Sequence, residues 1–214
     1  MSLRLYTAAR AAAPYRVRIA LNLKGLAYDA AAVNLVAGEQ HGEAYAALNR
    51  QELTPTLVTD DGTSMTQSLA IIEWLEETYP EPPLLPKAPA DRAVVRSMAG
   101  IVACDIHPLN NLRVQRALKA QGLDREGVKT WAQRWIGDGF RALEPMVARH
   151  GRGWAFGGQP GLADCCLVPQ LANSRNFDVD LSPYPHLVQV WETSKAHPAF
   201  HAAAPEQQPD FRPA

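Results

Sequence analysis

The sequence predicts a two-domain α+β protein: a mixed β-α-β-α-β-β-α domain over residues 1–80, a linker over residues 81–90 and an all-α helical bundle over residues 91–214. Three observations carry that expectation. Strand-like and helix-like apolar spacing alternate within the first 80 residues. The run PEPPLLPKAP from Pro80 to Pro89 places five prolines in ten positions, which stops a helix and makes a semi-rigid connector. Beyond it, four long segments keep helical spacing while strand patterns are scarce.

Residues 3–7 alternate as a strand, and Pro14 suits the first turn of a helix whose apolar side is Val17, Ala20, Leu21 and Leu23, ended by Gly25. Residues 28–35 read as a second strand and 43–48 as a short helix. Thr54-Pro55-Thr56-Leu57-Val58-Thr59 leads into Asp60-Asp61-Gly62, a hairpin turn, and residues 64–66 return. Ser68 caps a helix running to Tyr79. In the second domain, helices are expected over 92–119, 126–150, 162–175 and 186–195.

With 214 residues, 47% of them hydrophobic, the chain has the apolar material for one large or two small cores. Lys and Arg number 21 against 22 Asp and Glu, a balance that argues against a general nucleic-acid binder and against a polybasic membrane protein. No stretch approaches the roughly 20 apolar residues that cross a bilayer. Cys104, Cys165 and Cys166 form no even-numbered framework, so a reducing, cytoplasmic setting is expected. Residues 1–28 contain five basic and no acidic residues, like a transit peptide, but the same residues read as strand plus helix.

The handover from first strand to first helix is unusual. A helix start leaves backbone N–H groups without intrahelical partners and so attracts Ser, Thr, Asp or Asn, or an anion. This chain has Ala11-Ala12-Ala13 there, preceded by Arg10. Cys104 and His107 lack a third ligand at suitable spacing, so no metal is expected.

The order of elements, the Thr-Pro before a hairpin, "MTQSLAIIEWLEETYP", the proline-rich linker and the all-α domain together resemble the cytosolic glutathione transferases, with their thioredoxin-like first domain. "YRVRIALNLKG", "TQSLAIIEWLEE" and "LADCCLVPQLANSRNFDVDLSPYP" look like the zeta class, the maleylacetoacetate and maleylpyruvate isomerases, and "CDIHPLNNLR" leans toward the latter. The resemblance implies glutathione as cofactor, a small dicarboxylate substrate, a homodimer, and a substrate pocket formed by the second domain.

It also implies roles for residues whose local reading is more ordinary. Thr54 and cis-Pro55 would pair with the tripeptide as one strand with another, or merely mark a loop entering a strand. Gln67 and Ser68 would take the γ-glutamyl carboxylate at a helix start, a role compatible with a plain N-cap. His107 and Asn111 would contact the glutathione backbone; alternatively, His107 satisfies carbonyls of a helix bent at Pro108. Asp164, after Gly161, matches the family's buried capping box and is read as structural.

In the zeta pattern, the positions of Ala11, Ala12 and Ala13 carry a hydroxyl-rich triplet whose first serine donates to the glutathione sulfur. Its loss would raise the bound thiol's pKa by about one to two units, since a hydrogen bond to a charged group contributes about 1.5–3 kcal/mol. Either Arg10 and backbone N–H groups stand in, or the site has been emptied. The dianionic substrate would be held by Arg10, Arg113 and Arg175, whereas Arg16 and Arg18 are read as solvated helix-face charges. Arg175 departs from the pattern, which has Arg directly before the Phe where this chain has Asn176. The expected reaction is cis–trans isomerisation of a maleyl dicarboxylate; the alternatives are a broader glutathione transferase or dehalogenase, and a non-catalytic glutathione-binding homologue.

Overall fold

The computed structural model describes residues 2–212. The chain forms two compact units, Met1–Leu84 with Ala196–Ala214, and Leu85–Lys195.

In the first unit, β1 (Leu3–Thr7) lies parallel to β2 (Asp29–Ala32) and antiparallel to β3 (Thr56–Thr59), which pairs antiparallel with β4 (Ser64–Thr66). The sheet order is β2-β1-β3-β4. Leu5, opposite both Ala30 and Leu57, is fully buried, and the alternation of Leu3, Leu5 and Thr7 inward with Arg4 outward follows the strand period. The Asp60-Asp61-Gly62 turn forms as expected, with Gly62 at φ +85, a conformation glycine takes without steric cost. β2 is shorter than the 28–35 expected. Asn34 Oδ1 accepts from the N–H groups of Val36 and Ala37, which turns the chain out of the sheet.

Helix α1 (Ala12–Leu23) is buried on all sides from Pro14 to Leu21. Arg16 and Arg18 are therefore not solvated helix-face charges: they are 2% and 0% exposed. Two residues apart on a helix point to nearly opposite sides, so both can be buried only because partners meet α1 on two faces. Helix α2 (Glu43–Leu48) is short, and α3 (Ser68–Thr78) packs on α1. At the end of α1, Lys24 Nζ donates to Glu76 Oε2 at 2.9 Å and to the carbonyls of Tyr79 and Pro82. Glu76 in turn accepts from Leu84 N–H, so a buried ion pair with its remaining valences satisfied ties the start of the linker to this unit.

The second unit is all helical, as the spacing predicts, but 92–119 is not one helix. It is divided into α4 (Pro89–Gly100), a π-helical turn (Ile101–Ile106), α5 (His107–Asn110) and α6 (Leu112–Ala120). Pro108 has no N–H to offer the Cys104 carbonyl, and its ring crowds that carbonyl, which accounts for the widened turn before it. Asn111 restarts the chain as the N-cap of α6, accepting from Val114 N–H at 3.1 Å. The long helix α7 (Arg125–His150) carries Gly139 against the widened turn: a Cβ there would run into Ile106 Cγ1 and Cδ1. Helix α8 (Leu162–Ser174) has eleven buried residues, from Leu162 to Leu171 and Ser174, and so is central to this unit. Helix α9 (Pro185–Lys195) completes it.

The sequence reading placed 196–214 in the second domain. The chain instead returns to the first unit, where α10 (Pro198–Ala203) packs on α1. Asn22 Nδ2 donates to the Ala199 carbonyl and Arg18 Nε to that of Ala203, contacts that six residues of helical spacing do not announce.

Candidate functional site

Strand β1 ends at Thr7, and Ala8 to Ala11 turn the chain into α1. Ala11 is the N-cap, extended at φ −83 and ψ 127, with no side-chain cap. Pro14 is the third helical residue and has no N–H. Tyr15 N–H already donates to Ala11 O at 3.2 Å, so the donors left at this end are the N–H groups of Ala12 and Ala13. No acidic residue stands in the first turn, and Arg10 is exposed directly before it. The result is a positive helix start built from backbone and methyl groups.

Arg18 secures this turn from beneath. Its Nη1 donates to Thr7 Oγ1 at 2.8 Å and to Ala8 O at 3.3 Å, and its Nη2 to Ala9 O at 3.0 Å. Burial lowers the guanidinium pKa to about 10, offset in part by Tyr28, Tyr15 and Asp210. Burial likewise pushes the Tyr15 hydroxyl up to about 12, against the pull of Arg18.

The Thr54–Pro55 peptide is cis. Just before it, Tyr45 Oη and Asn49 Nδ2 both donate to Leu53 O, at 2.7 and 2.6 Å. Among the described residues the Thr54 backbone N–H and C=O make no hydrogen bond, leaving a free donor and acceptor beside the cis peptide. At the start of α3, Gln67 has φ +69 and ψ 115, a backbone shape that side-chain-bearing residues rarely adopt and that concentrates at functional sites. Its Nε2 donates to Gln51 Oε1. Ser68, the first helical residue, is 5% exposed, and its Oγ accepts from Arg16 Nη1 at 3.2 Å, so a buried cation stands behind the positive end of α3.

Arg10, Ala11, Ala12, Ala13, Thr54, Pro55, Gln67 and Ser68 thus all lie in the first unit; His107, Asn111, Arg113 and Arg175 lie in the second. Asn111 has its Oδ1 engaged as a cap and keeps its Nδ2. Half-buried His107 opens α5 right after the π-turn. Arg113 is exposed at the second position of α6, and Arg175 is exposed where α8 passes into the 3-10 turn Arg175–Phe177. The ends carrying these two arginines are joined, since Asn173 Nδ2 donates to Asn110 Oδ1 at 3.1 Å. Helix α7 fixes both: Trp131 Nε1 donates to Leu109 O, and Gln133 Nε2 to Phe177 O. Asp164 is structural, its carboxylate accepting from Ala155 N–H at 2.7 Å and Gly161 N–H at 2.9 Å. Among the described residues, no three His, Cys, Asp or Glu side chains gather where they could share a metal.

Sequence reasoning reads Arg16 and Arg18 as solvated charges and passes over Asp210. A signal existed for the arginines: Tyr15, Val17, Ile19, Ala20 and Leu21 put apolar groups around all of α1, leaving no solvated face for both.

The profile of the glutathione S-transferase N-terminal domain matches residues 5–83, and that of the C-terminal domain matches residues 129–202. A maleylacetoacetate isomerase of Pseudomonas aeruginosa is 47% identical over 210 residues, 97% of this chain and 98% of that protein. The holo structure of a maleylpyruvate isomerase, described as a bacterial zeta-class glutathione S-transferase, superimposes with a TM-score of 0.94 at 44% identity, over 98% of this chain and 100% of that one. A maleylacetoacetate isomerase from Anaeromyxobacter dehalogenans, solved with glutathione and with dicarboxyethyl glutathione plus citrate in its active site, gives a TM-score of 0.90 at 43% identity, over 99% and 98% of the two chains. The chain belongs to the glutathione S-transferase family, and within it to the maleylacetoacetate and maleylpyruvate isomerase group.

Proposed function

We propose that this protein is a glutathione-dependent cis–trans isomerase that converts a maleyl dicarboxylate, maleylpyruvate or maleylacetoacetate, to its fumaryl isomer in the cytoplasmic catabolism of aromatic compounds. The observation that carries the reading is the pairing, within one unit, of the unpartnered Thr54 backbone with the Arg16-backed Ser68 at the start of α3. A free backbone donor and acceptor and a positive helix end suit the backbone and the free carboxylate of a γ-glutamyl tripeptide, so the residues present fit glutathione.

Glutathione, when bound, supplies the thiolate that adds to the cis double bond and leaves after rotation about the resulting single bond, with no net redox change. The protein's part is electrostatic and geometric. Thr54 pairs with the peptide backbone, and Ser68 and Gln67 receive the γ-glutamyl carboxylate; His107 and the Asn111 amide are the second unit's candidate polar groups for the tripeptide. Ala12 and Ala13 N–H groups, with Arg10, stabilise negative charge at the sulfur in place of a hydroxyl. Arg10 in the first unit, and Arg113 and Arg175 in the second, are the guanidinium forks proposed for the substrate carboxylates. The uncapped Ala11 is the feature that favours the second reading, a non-catalytic glutathione binder.

Turnover of both maleyl substrates with and without glutathione tests the proposal. Arg113→Ala or Arg175→Ala is expected to raise KM about tenfold or more at every pH while leaving the ultraviolet titration of the bound thiol unchanged. Glutathione binding without turnover of either substrate would establish the second reading instead. A homodimer is proposed as well, and a monomeric mass at micromolar concentration would refute it.

A further inference from the structure

A hydroxyl donor rotates to meet its acceptor, whereas a backbone N–H points where the chain points. In a site that relies on Ala12 and Ala13 N–H groups, donor direction is set entirely by the turn that precedes them, and hydrogen bonds weaken steeply as their angle closes. The anchors of the Ala8–Ala11 turn therefore take over a task that a side chain would otherwise perform. Arg18 holds Ala8 O and Ala9 O, and Ala11 N–H closes on Ala8 O at 3.1 Å. The remaining anchor comes from the far end of the chain: Ala9 N–H donates to Asp210 Oδ2 at 2.9 Å, across 201 residues.

The segment carrying Asp210 is itself fastened. Buried Gln208 donates through Nε2 to Ala202 O at 2.9 Å and Ala204 O at 3.0 Å, and Phe211 N–H closes a turn onto Gln208 O that presents Asp210. Arg18 Nε donates to Ala203 O, so one buried guanidinium grips both the helix preceding this tail and the turn that the tail touches. The charged and titratable groups around the turn are Arg10 on the turn itself, Arg18, Tyr15 and Tyr28 from the body of the unit, and Glu206 and Asp210 from the tail.

We propose that Asp210 is a positioning residue for the isomerase site: by accepting from Ala9 N–H it fixes the direction of the α1 N–H groups that face the glutathione thiol. The inference rests on the function proposed above. Asp210→Ala removes the acceptor, while Asp210→Asn removes the charge and keeps an acceptor. With Asp210→Ala, the pH midpoint of bound-thiol ionisation and of kcat/KM should rise by half a unit or more, about a threefold loss or greater at neutral pH. Asp210→Asn should restore a midpoint at or below that of the wild type. Equal midpoints in all three proteins would overturn the proposal, as would equal shifts in both variants, which would mark a pure charge effect. Hydrogen exchange in the glutathione-free protein tests the anchoring by itself: the Ala9 amide should exchange at least about tenfold faster in Asp210→Ala, with α7 amides unchanged. Absence of that local acceleration overturns the proposal. Wild-type protein that never ionises added glutathione overturns the functional reading instead.

Discussion

Arg16 and Ser68 meet inside the first unit: Nη1 of the arginine donates to the serine Oγ at 3.2 Å, across a sequence separation of 52, with both side chains buried. The contact couples the middle of α1 to the first residue of α3. If this bond sets up the helix end for a carboxylate, Ser68→Ala and Arg16→Met should each weaken glutathione binding. The double variant should lose less than the two single losses combined, by about 1 kcal/mol. Calorimetric titration of the four proteins reads the coupling directly; strict additivity would show that the two side chains act independently.

The alanine at the N-cap gives a gain-of-function test. Ala11→Ser should lower the bound thiol's pKa and raise turnover at neutral pH, with an upper limit of about one to two pKa units. The gain should vanish at alkaline pH, where the thiol ionises unaided. A response at Ala12→Ser or Ala13→Ser but not at Ala11→Ser would move the donor position along the turn.

Much of this was legible because it is local. Pro14 and the Asp60-Asp61-Gly62 turn each announce an element boundary through chemistry confined to a few residues. Ser68 marks the start of α3 but does not cap it: Gln67 is the N-cap, without a side-chain cap bond, because the Ser68 hydroxyl is the first helical residue's and accepts from buried Arg16 instead. The partners of Arg16 and Arg18 were not legible, because Ser68 and Ala203 lie 52 and 185 residues away in sequence, even though the apolar groups all round α1 hinted at the burial itself. Pro108 foretold a disturbance in the 92–119 segment, yet a π-turn, a four-residue helix and an Asn-capped restart are tertiary choices that periodicity does not resolve. The six residues of α10 are too few to carry a readable pattern.

Asp164 makes a pH prediction. Burial pushes its carboxyl up to about 7 from an ordinary value near 3.8, against the opposing pull of the backbone donors of Ala155 and Gly161. Between these two values the native protein retains a proton that the unfolded chain has released. Because the native state binds more protons there, this group's contribution to stability falls as pH rises from about 4 to about 7, by at most about 1.4 kcal/mol per pH unit, and is level outside that window. Denaturant unfolding at several pH values should show this slope in the wild type. Asp164→Asn should lack it, and parallel curves would refute the assignment.

Gly139 makes a packing prediction. Gly139→Ala would drive a methyl group into Ile106 at the π-turn, so a loss of about 1–3 kcal/mol is expected in chemical unfolding. Pairing it with Ile106→Val, which withdraws Cδ1, should recover part of that loss; no recovery would mean that the obstruction lies elsewhere.

The uncapped start of α1 also bears on the durability of the protein. Serine and cysteine side chains are what acylating agents, alkylating agents and peroxides attack, whereas the side chains of Ala11, Ala12 and Ala13 are methyl groups. An enzyme handling electrophilic alkenes exposes its own nucleophiles to every turnover, and a hydroxyl- or thiol-bearing turn can be modified by its own substrate. Here Ala11, Ala12 and Ala13 offer no hydroxyl or thiol to modify, so the chemical lifetime of these positions is that of the peptide chain rather than that of a reactive group.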